Sequence, residues 1–228
     1  MNTVYLIKNI LYLISQMQVA KDLYLEGGAA LSFVYKIKRK FSDDLDFTVP
    51  NYKVIKIFKE EYHSFVKKTE YYIEFLDMFD KNSLRLNFIS KEARDFHLDF
   101  TVVENKLFDW CWAKIPTQKG DIVIKTHTLE DITAEKICGI LSPDRFEYKD
   151  IVDINKTVSR VSIAKLKNLA LRKIRFKFFG KREDFLIDLL RINKQKFFKN
   201  AVLNGYSLKN FNNNYLEVTR LIQRMQLE

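Results

Sequence analysis

The chain has little cysteine, proline or glycine, and no long unbroken hydrophobic run. Cys111 and Cys138 are its only thiols. Two are too few for a disulfide framework or a zinc knuckle, so reduced thiols in a cytoplasmic protein are expected. With 3 Pro and 6 Gly in 228 residues, the chain should be dense in regular structure. The N-terminal stretch VYLIKNILYLISQMQV is apolar but interrupted by Lys8, Asn9 and Gln16, which excludes a membrane span. Val4, Ile7, Leu11 and Ile14 fall at helical spacing, which predicts an amphipathic core helix over 3–20. No small-residue cleavage site comes after it, so no signal peptide is expected. Apolar residues make up 47% and aromatics 14%, enough for a proper core and against a disordered chain. The formal net charge is +10, which predicts attraction to polyanions. Residues 156–199 hold 14 Lys and Arg against 3 Asp and Glu, a surplus of 11 that accounts for the whole excess.

The order of elements argues for an α+β half followed by a helical half. LYLE (23–26) reads as a short strand running into Gly27-Gly28. AALSFVYKI (29–37) is apolar at helical spacing, and DLDFTV (44–49) reads as a strand stopped by Pro50. A helix with a basic outer face is predicted over 51–69. YYIEFLDMF, SLRLNFIS, FHLDFTVVE and DIVIKT then read as strands. LEDITAEKICGIL (129–141) and most of the remaining chain read as helical. The predicted boundary divides the chain into domains 1–127 and 128–228.

Two candidate features stand out before that boundary. Gly27 and Gly28 allow a sharp turn and close approach of a ligand to the backbone. A helix beginning just after them would aim its first N–H groups and positive dipole end at a phosphate. Such a pair between strand and helix is also common as a simple turn. Asp44 and Asp46, at i and i+2 on a strand, point to one face. Two like charges so placed suit a hard cation such as Mg²⁺ or Mn²⁺; the alternative is a solvated pair on an exposed edge. Leu45 and Phe47 give the strand a buried side. Asp43 should point elsewhere, into solvent. Asp99 sits mid-strand between apolar neighbours, where a carboxylate needs a partner. A shared cation would provide one, and Asp99 could also deprotonate an attacking hydroxyl.

GGAALSFVYKIKRKFSDDLDF resembles the glycine-pair and Asp-x-Asp signature of the nucleotidyltransferase superfamily, and more narrowly the AbiEii/AbiGii toxin family of bacterial toxin–antitoxin and abortive-infection systems. Gly27, Gly28, Ala29, Ala30 and Leu31 stand for the family's Gly-Gly-Thr-Ala-Leu, with Ala29 replacing the threonine. The Arg39/Lys40 pair and Ser42 come next, then Asp44 to Phe47 for Asp-Leu-Asp-Phe. LEDITAEKICGILSPDRFEYKDIVDI (129–154) resembles the family's acidic–Ala-Glu-Lys helix and Arg-Asp-x-x-Asp stretch, with Lys149 in place of the arginine. The resemblance spans roughly residues 20–155. It implies a nucleotidyltransferase-like mixed β-sheet flanked by helices, then a C-terminal helical domain. It also implies NMP transfer from an NTP to an acceptor with release of pyrophosphate. Gly27, Gly28, Lys40, Ser42 and Lys136 would bind the nucleotide, and Asp44, Asp46 and Asp99 would hold Mg²⁺ or Mn²⁺. Asp150 would orient Lys136 or the base. Implied partners are an NTP, a cognate antitoxin, and tRNA or another RNA on the basic segment 156–199; no membrane is implied.

His63, His97 and His127 show no metal-ligand spacing, although His97 borders Asp99. Trp110 and Trp112 read as core or partner contacts. LRKIRFKFFGKR (171–182) fits RNA backbone binding with stacking, or an amphipathic helix with a solvated basic face. No Gly-x-Ser-x-Gly elbow occurs. Two rival functions stand: small-molecule adenylylation, which needs no basic half, and a non-catalytic nucleotide- or nucleic-acid-binding module.

Overall fold

Leu6, Ile7, Ile10, Leu11 and Ile14 recur at helical spacing, and in the computed structural model they form the buried stripe of α1 (Thr3–Ser15). The structure describes residues 3–38, 44–68, 72–76, 83–89, 96–103, 107–142, 145–177 and 185–227. They fall into two units, Met1–Thr128 and Leu129–Glu228.

The first unit is built on one mixed sheet. After α1 come β1 (Tyr24–Leu25), α2 (Gly27–Phe33), β2 (Asp44–Val49) and α3 (Tyr52–Val66). Next are β3 (Tyr72–Leu76), β4 (Ser83–Ile89), β5 (Phe96–Val102), β6 (Trp110–Thr117) and β7 (Gly120–His127). The seven strands lie in the order β3-β4-β5-β2-β1-β7-β6. β2 runs parallel to β5, and β1 parallel to β7; the other neighbouring pairs are antiparallel. Pro50, which has no N–H for a ladder, comes directly after the last residue of β2. The Asn51 side chain then caps α3 by accepting from the Lys53 N–H at 3.0 Å.

Alternation gives the sheet two unlike faces. Leu45, Phe47 and Val49, with Leu84, Leu86, Phe88, Leu98 and Phe100, are buried. Phe58 and Phe65 of α3 cover this side, with ring centroids 4.5 Å from Phe100 and 6.2 Å from Phe88. The other side carries Asp44 and Asp46 of β2, His97 and Asp99 of β5, and Arg85 and Asn87 of β4, matched in register.

Three details depart from expectation. The first helix ends at Ser15, and a 3-10 turn covers Gln18–Asp22. The helix after the diglycine starts at Gly27 itself and has seven residues, not the longer 29–37 span. β6 has no counterpart in the sequence reading, because its aromatic residues face outward and its inward positions include Cys111 and Ala113. Trp110 and Trp112 are exposed, which removes the core reading of these two residues.

The second unit contains α4 (Leu129–Leu141), α5 (Tyr148–Thr157), α6 (Ile163–Lys177), α7 (Phe185–Leu203) and α8 (Leu208–Leu227). Its core includes Ile137, Ile151, Leu166, Phe197, Phe211 and Val218 around a fully buried Tyr148. The Tyr148 hydroxyl finds partners within this apolar setting: it donates to the Asn210 carbonyl at 3.1 Å and accepts from Asn214 at 2.8 Å. Among the described residues no helix is long and apolar enough to cross a membrane.

Phe58 is the ring through which α3 is keyed to the sheet. Phe58→Ala should cost roughly 3–5 kcal/mol of stability, read as a lower urea midpoint with an unchanged slope.

Candidate active site

The Asp46 carboxylate and the diglycine turn form one structure. Leu25 pairs with Phe47, and the Glu26 N–H donates to the Asp46 carbonyl at 3.0 Å, so the chain enters the turn alongside β2. Gly27 has φ +62°, in the left-handed region that favours glycine. A Cβ at this position would overlap the Asp46 carboxylate oxygen. Gly27 therefore meets two demands: the backbone angle, and the space for the acid. Gly27 and Gly28 open α2, and Glu26 makes no side-chain cap to it.

β2 lies inside the sheet, between β5 and β1, which rules out the exposed-edge reading of Asp44 and Asp46. Asp46 pairs with Asp99 and Asp44 with His97 across parallel strands, about 4.8 Å apart in the hydrogen-bonding direction. The partner of Asp99 is Arg85 on β4. Arg85 donates from Nε to Asp99 Oδ1 at 2.7 Å and from Nη2 to Oδ2 at 2.6 Å. The hydrogen bond to Asp99 raises the guanidinium above its ordinary value against the opposing effect of burial; the charges of Asp99, Asp44 and Asp46 add to it. Arg85 thus sits in the field of all three acids.

Among the described residues no three His, Cys, Asp or Glu gather as a metal-ligand set. Asp44, Asp46 and Asp99 share one face of the sheet, and both Asp99 oxygens are engaged by Arg85. The Asp44–Asp46 pair still fits Mg²⁺ or Mn²⁺, since Mg²⁺ binds through one or two carboxylates and fills its shell with water and substrate phosphate. A bidentate arginine leaves lone pairs on both Asp99 oxygens, so Asp99 keeps acceptor capacity. His97 Nδ1 is 2.6 Å from Asn87 Oδ1, a cross-strand contact. Lys40, Ser42 and Asp43 lie outside the described residues.

The second unit holds a buried charge cluster. Lys136 on α4 donates to Asp150 Oδ1 at 2.7 Å and lies 3.8 Å from Asp153. Arg145 donates from Nε and Nη2 to Asp150 Oδ2, each at 2.9 Å. Gly139 leaves room for this carboxylate: a Cβ there would come within 3.1 Å of Asp150 Oδ2. Burial pushes the Asp150 carboxyl up, but Lys136 and Arg145 together outweigh it and hold it below the usual range. Asp150 sits in the first turn of α5 and positions two cations rather than merely capping the helix. The Lys136 side chain is 10% exposed, that of Arg145 49%, so Arg145 is the solvent-facing member. Deeper still, Lys173 meets Asp131 at 3.1 Å and Glu135 at 3.4 Å.

Sequence reading missed both arginines. Arg85 could have been found from SLRLN, where alternation puts it on the polar face opposite Asp99. Arg145 lies five residues before Asp150, across a helix start that hides the contact.

A mixed sheet flanked by helices, with an Asp-x-Asp strand beside a diglycine helix start, defines a nucleotidyltransferase fold. The chain belongs to the AbiEii family of nucleotidyl transferase toxins of type IV toxin–antitoxin systems, whose profile matches residues 9–213. It is a nucleotidyltransferase. Membership implies an NTP substrate and an antitoxin partner. Among solved structures it is similar to MenT4, a nucleotidyltransferase toxin from Mycobacterium tuberculosis H37Rv, at 14% identity and TM-score 0.61, covering 96% of this chain and 91% of that one. A nucleotidyltransferase-like antigenic protein from Paracoccidioides brasiliensis matches at 14% identity and TM-score 0.48, over 76% of this chain and 89% of that one. The antibiotic-resistance factor ANT(2'')-Ia matches at 16% identity and TM-score 0.48, over 77% and 94%. No curated protein matches the chain by sequence.

The packing around Gly27 and Asp150 makes both positions sensitive to substitution. Gly27→Ala should cost on the order of 1–3 kcal/mol through backbone strain, seen as a lower melting temperature, and should displace the Asp46 carboxylate. Asp150 stabilises the folded state above the unfolded carboxylate value of about 3.9. That contribution is lost as pH falls through its lower folded value. Lys136→Met should lower stability at neutral pH by roughly 3–5 kcal/mol and move the acid loss to higher pH, as urea melts between neutral and acid pH would record.

Proposed function

We propose that the chain transfers a nucleoside monophosphate from an NTP to a hydroxyl of an RNA acceptor, with tRNA as the leading candidate. The observation that carries this reading is the close approach of Gly27 to Asp46, which puts the diglycine turn directly against the Asp-x-Asp strand. The backbone of Gly27 and Gly28, with Lys40 and Ser42, would bind the triphosphate. Asp44 and Asp46 would hold Mg²⁺ or Mn²⁺, with Asp99 as a further oxygen donor. The bound ion would supply charge neutralisation at the reacting phosphates.

The acceptor oxygen forms a bond to the α-phosphorus as the bond to the bridging oxygen of the leaving pyrophosphate breaks. The hydroxyl proton passes to Asp99, whose remaining lone pairs accept it while Arg85 keeps the carboxylate in place. Lys136, oriented by Asp150, would neutralise phosphate charge. The surplus of 11 positive charges over residues 156–199 favours a polyanionic acceptor over a small molecule. The same reading puts the protein in the cytoplasm, under control of its antitoxin.

Incubation with each labelled NTP, Mg²⁺ and total RNA tests the reading. Label should appear on tRNA or another RNA, and Asp46→Asn should cut labelling by about 10²-fold or more. Label on a small molecule would overturn the acceptor assignment. Salt-sensitive RNA binding without NTP turnover by the unmodified protein would overturn the enzymatic one.

A further inference from the structure

On the polar face of the first unit, the end opposite β3 is aromatic. Trp110 is 41% exposed, Trp112 58% and Val123 63%. Single exposed apolar residues are ordinary, but these lie together on the adjacent strands β6 and β7. The Lys125 ammonium stands among rings: 4.9 Å from the Tyr24 centroid, 4.9 Å from Trp110 and 5.6 Å from Trp112. It also donates to the Tyr24 hydroxyl at 3.4 Å. The two indoles meet edge to face at 5.9 Å.

The register ties this patch to the carboxylates. Trp112 pairs with Lys125, Lys125 with Tyr24, and Tyr24 with Thr48. Thr48 lies two residues after Asp46 on the same strand, hence on the same face. Three strand spacings, about 14 Å, separate the Trp112 row from β2. A short strand with its reacting hydroxyl near Asp46 and Asp99 would reach the indoles by passing above this row, in which Tyr24 and Thr48 are themselves buried.

We propose that the Trp110–Trp112–Lys125 patch is a stacking platform for single-stranded nucleic acid, seating the bases that precede the reacting hydroxyl. An apolar protein segment laid here would cover the Lys125 ammonium without supplying an anion, at a desolvation cost. A single strand brings flat rings for the indoles and phosphates for the ammonium. Lys114 adds less, because it is paired with Asp121 at 2.6 Å. The identity of the strand as acceptor rests on the proposed nucleotidyl transfer; its binding does not.

Trp110 and Trp112 are the only tryptophans in the chain, so fluorescence excited selectively at the indoles reports this patch alone. Titration of the whole protein, without NTP, with a short mixed-sequence oligoribonucleotide should quench it saturably. The matching duplex should do so less, and salt should weaken the effect. Trp112→Ala should reduce affinity roughly 5- to 150-fold, the range for losing one stacked base, measured by anisotropy of a labelled oligonucleotide. Trp112→Phe should retain most of the affinity, and Lys125→Gln should flatten the salt dependence. Quenching without RNA labelling supports the platform while removing the transfer reading. RNA labelling without quenching, equal affinity of Trp112→Ala, or quenching by an acidic peptide but not by the oligonucleotide overturns the platform and leaves the transfer reading standing.

Discussion

Everything at the polar face of the sheet depends on where the Asp46 side chain is allowed to be. It occupies the space a side chain at residue 27 would need, so the turn, the start of α2 and the direction of the carboxylate are set together. The register of β2 is equally constrained. A slip of one residue would send Asp44 and Asp46 into the apolar side against Phe58 and bring Leu45 and Phe47 into solvent. The phenylalanine-rich packing beneath β2 thus holds the acids above it in place, although none of those rings touches a reacting group.

Charge compensation obeys the same logic in both units. Asp46 and Asp99 stand side by side on parallel strands, an arrangement that repels in a partly desolvated setting. Arg85 answers it with a bidentate contact from the next strand. In the helical unit Asp150 is almost completely buried, and two cations hold it ionised. Lys173 likewise pairs with Asp131 and Glu135. Removal of Lys136 would leave the buried Asp150 with only the more exposed Arg145, and a buried carboxylate short of a partner costs more than the intact pair contributes. This is why basic residues in the interior are structural as well as candidates for chemistry.

How much of this was legible in the amino-acid order depended on range. The strand at 44–49, its stop at Pro50 and the helix at 129–141 are local, written in alternation and helical spacing. The pairing of Asp46 with Asp99 needed only the guess that two such strands are neighbours. Arg85 and Arg145 were not read because their meaning lies in contacts made across strands or around a helix start. β6 was missed for a different reason. Its aromatic residues face solvent, so the usual link between large rings and the core pointed the wrong way, and the same inversion concealed the tryptophan patch. Lys136 was legible as a lysine with a packed stem, but not as one nearly closed off by two aspartates.

A basic surplus by itself explains attraction and little else. Its influence on a polyanion fades over a Debye length, about 8 Å at physiological salt, and it has no preference for one hydroxyl over another. Nucleotidyl transfer needs the reacting oxygen held at near-contact distance, which only short-range groups achieve. On the first unit the groups proposed for this are the carboxylates and diglycine in the middle of the sheet and the rings with a lysine at its β6 edge. On the proposed reading, long-range charge and short-range placement would respond differently to ionic strength: salt would weaken the encounter, whereas stacking on the indoles would persist once a strand had arrived. That division of labour would follow from the distances, since the groups proposed to position an acceptor lie on one sheet face while most of the surplus charge lies in residues 156–199.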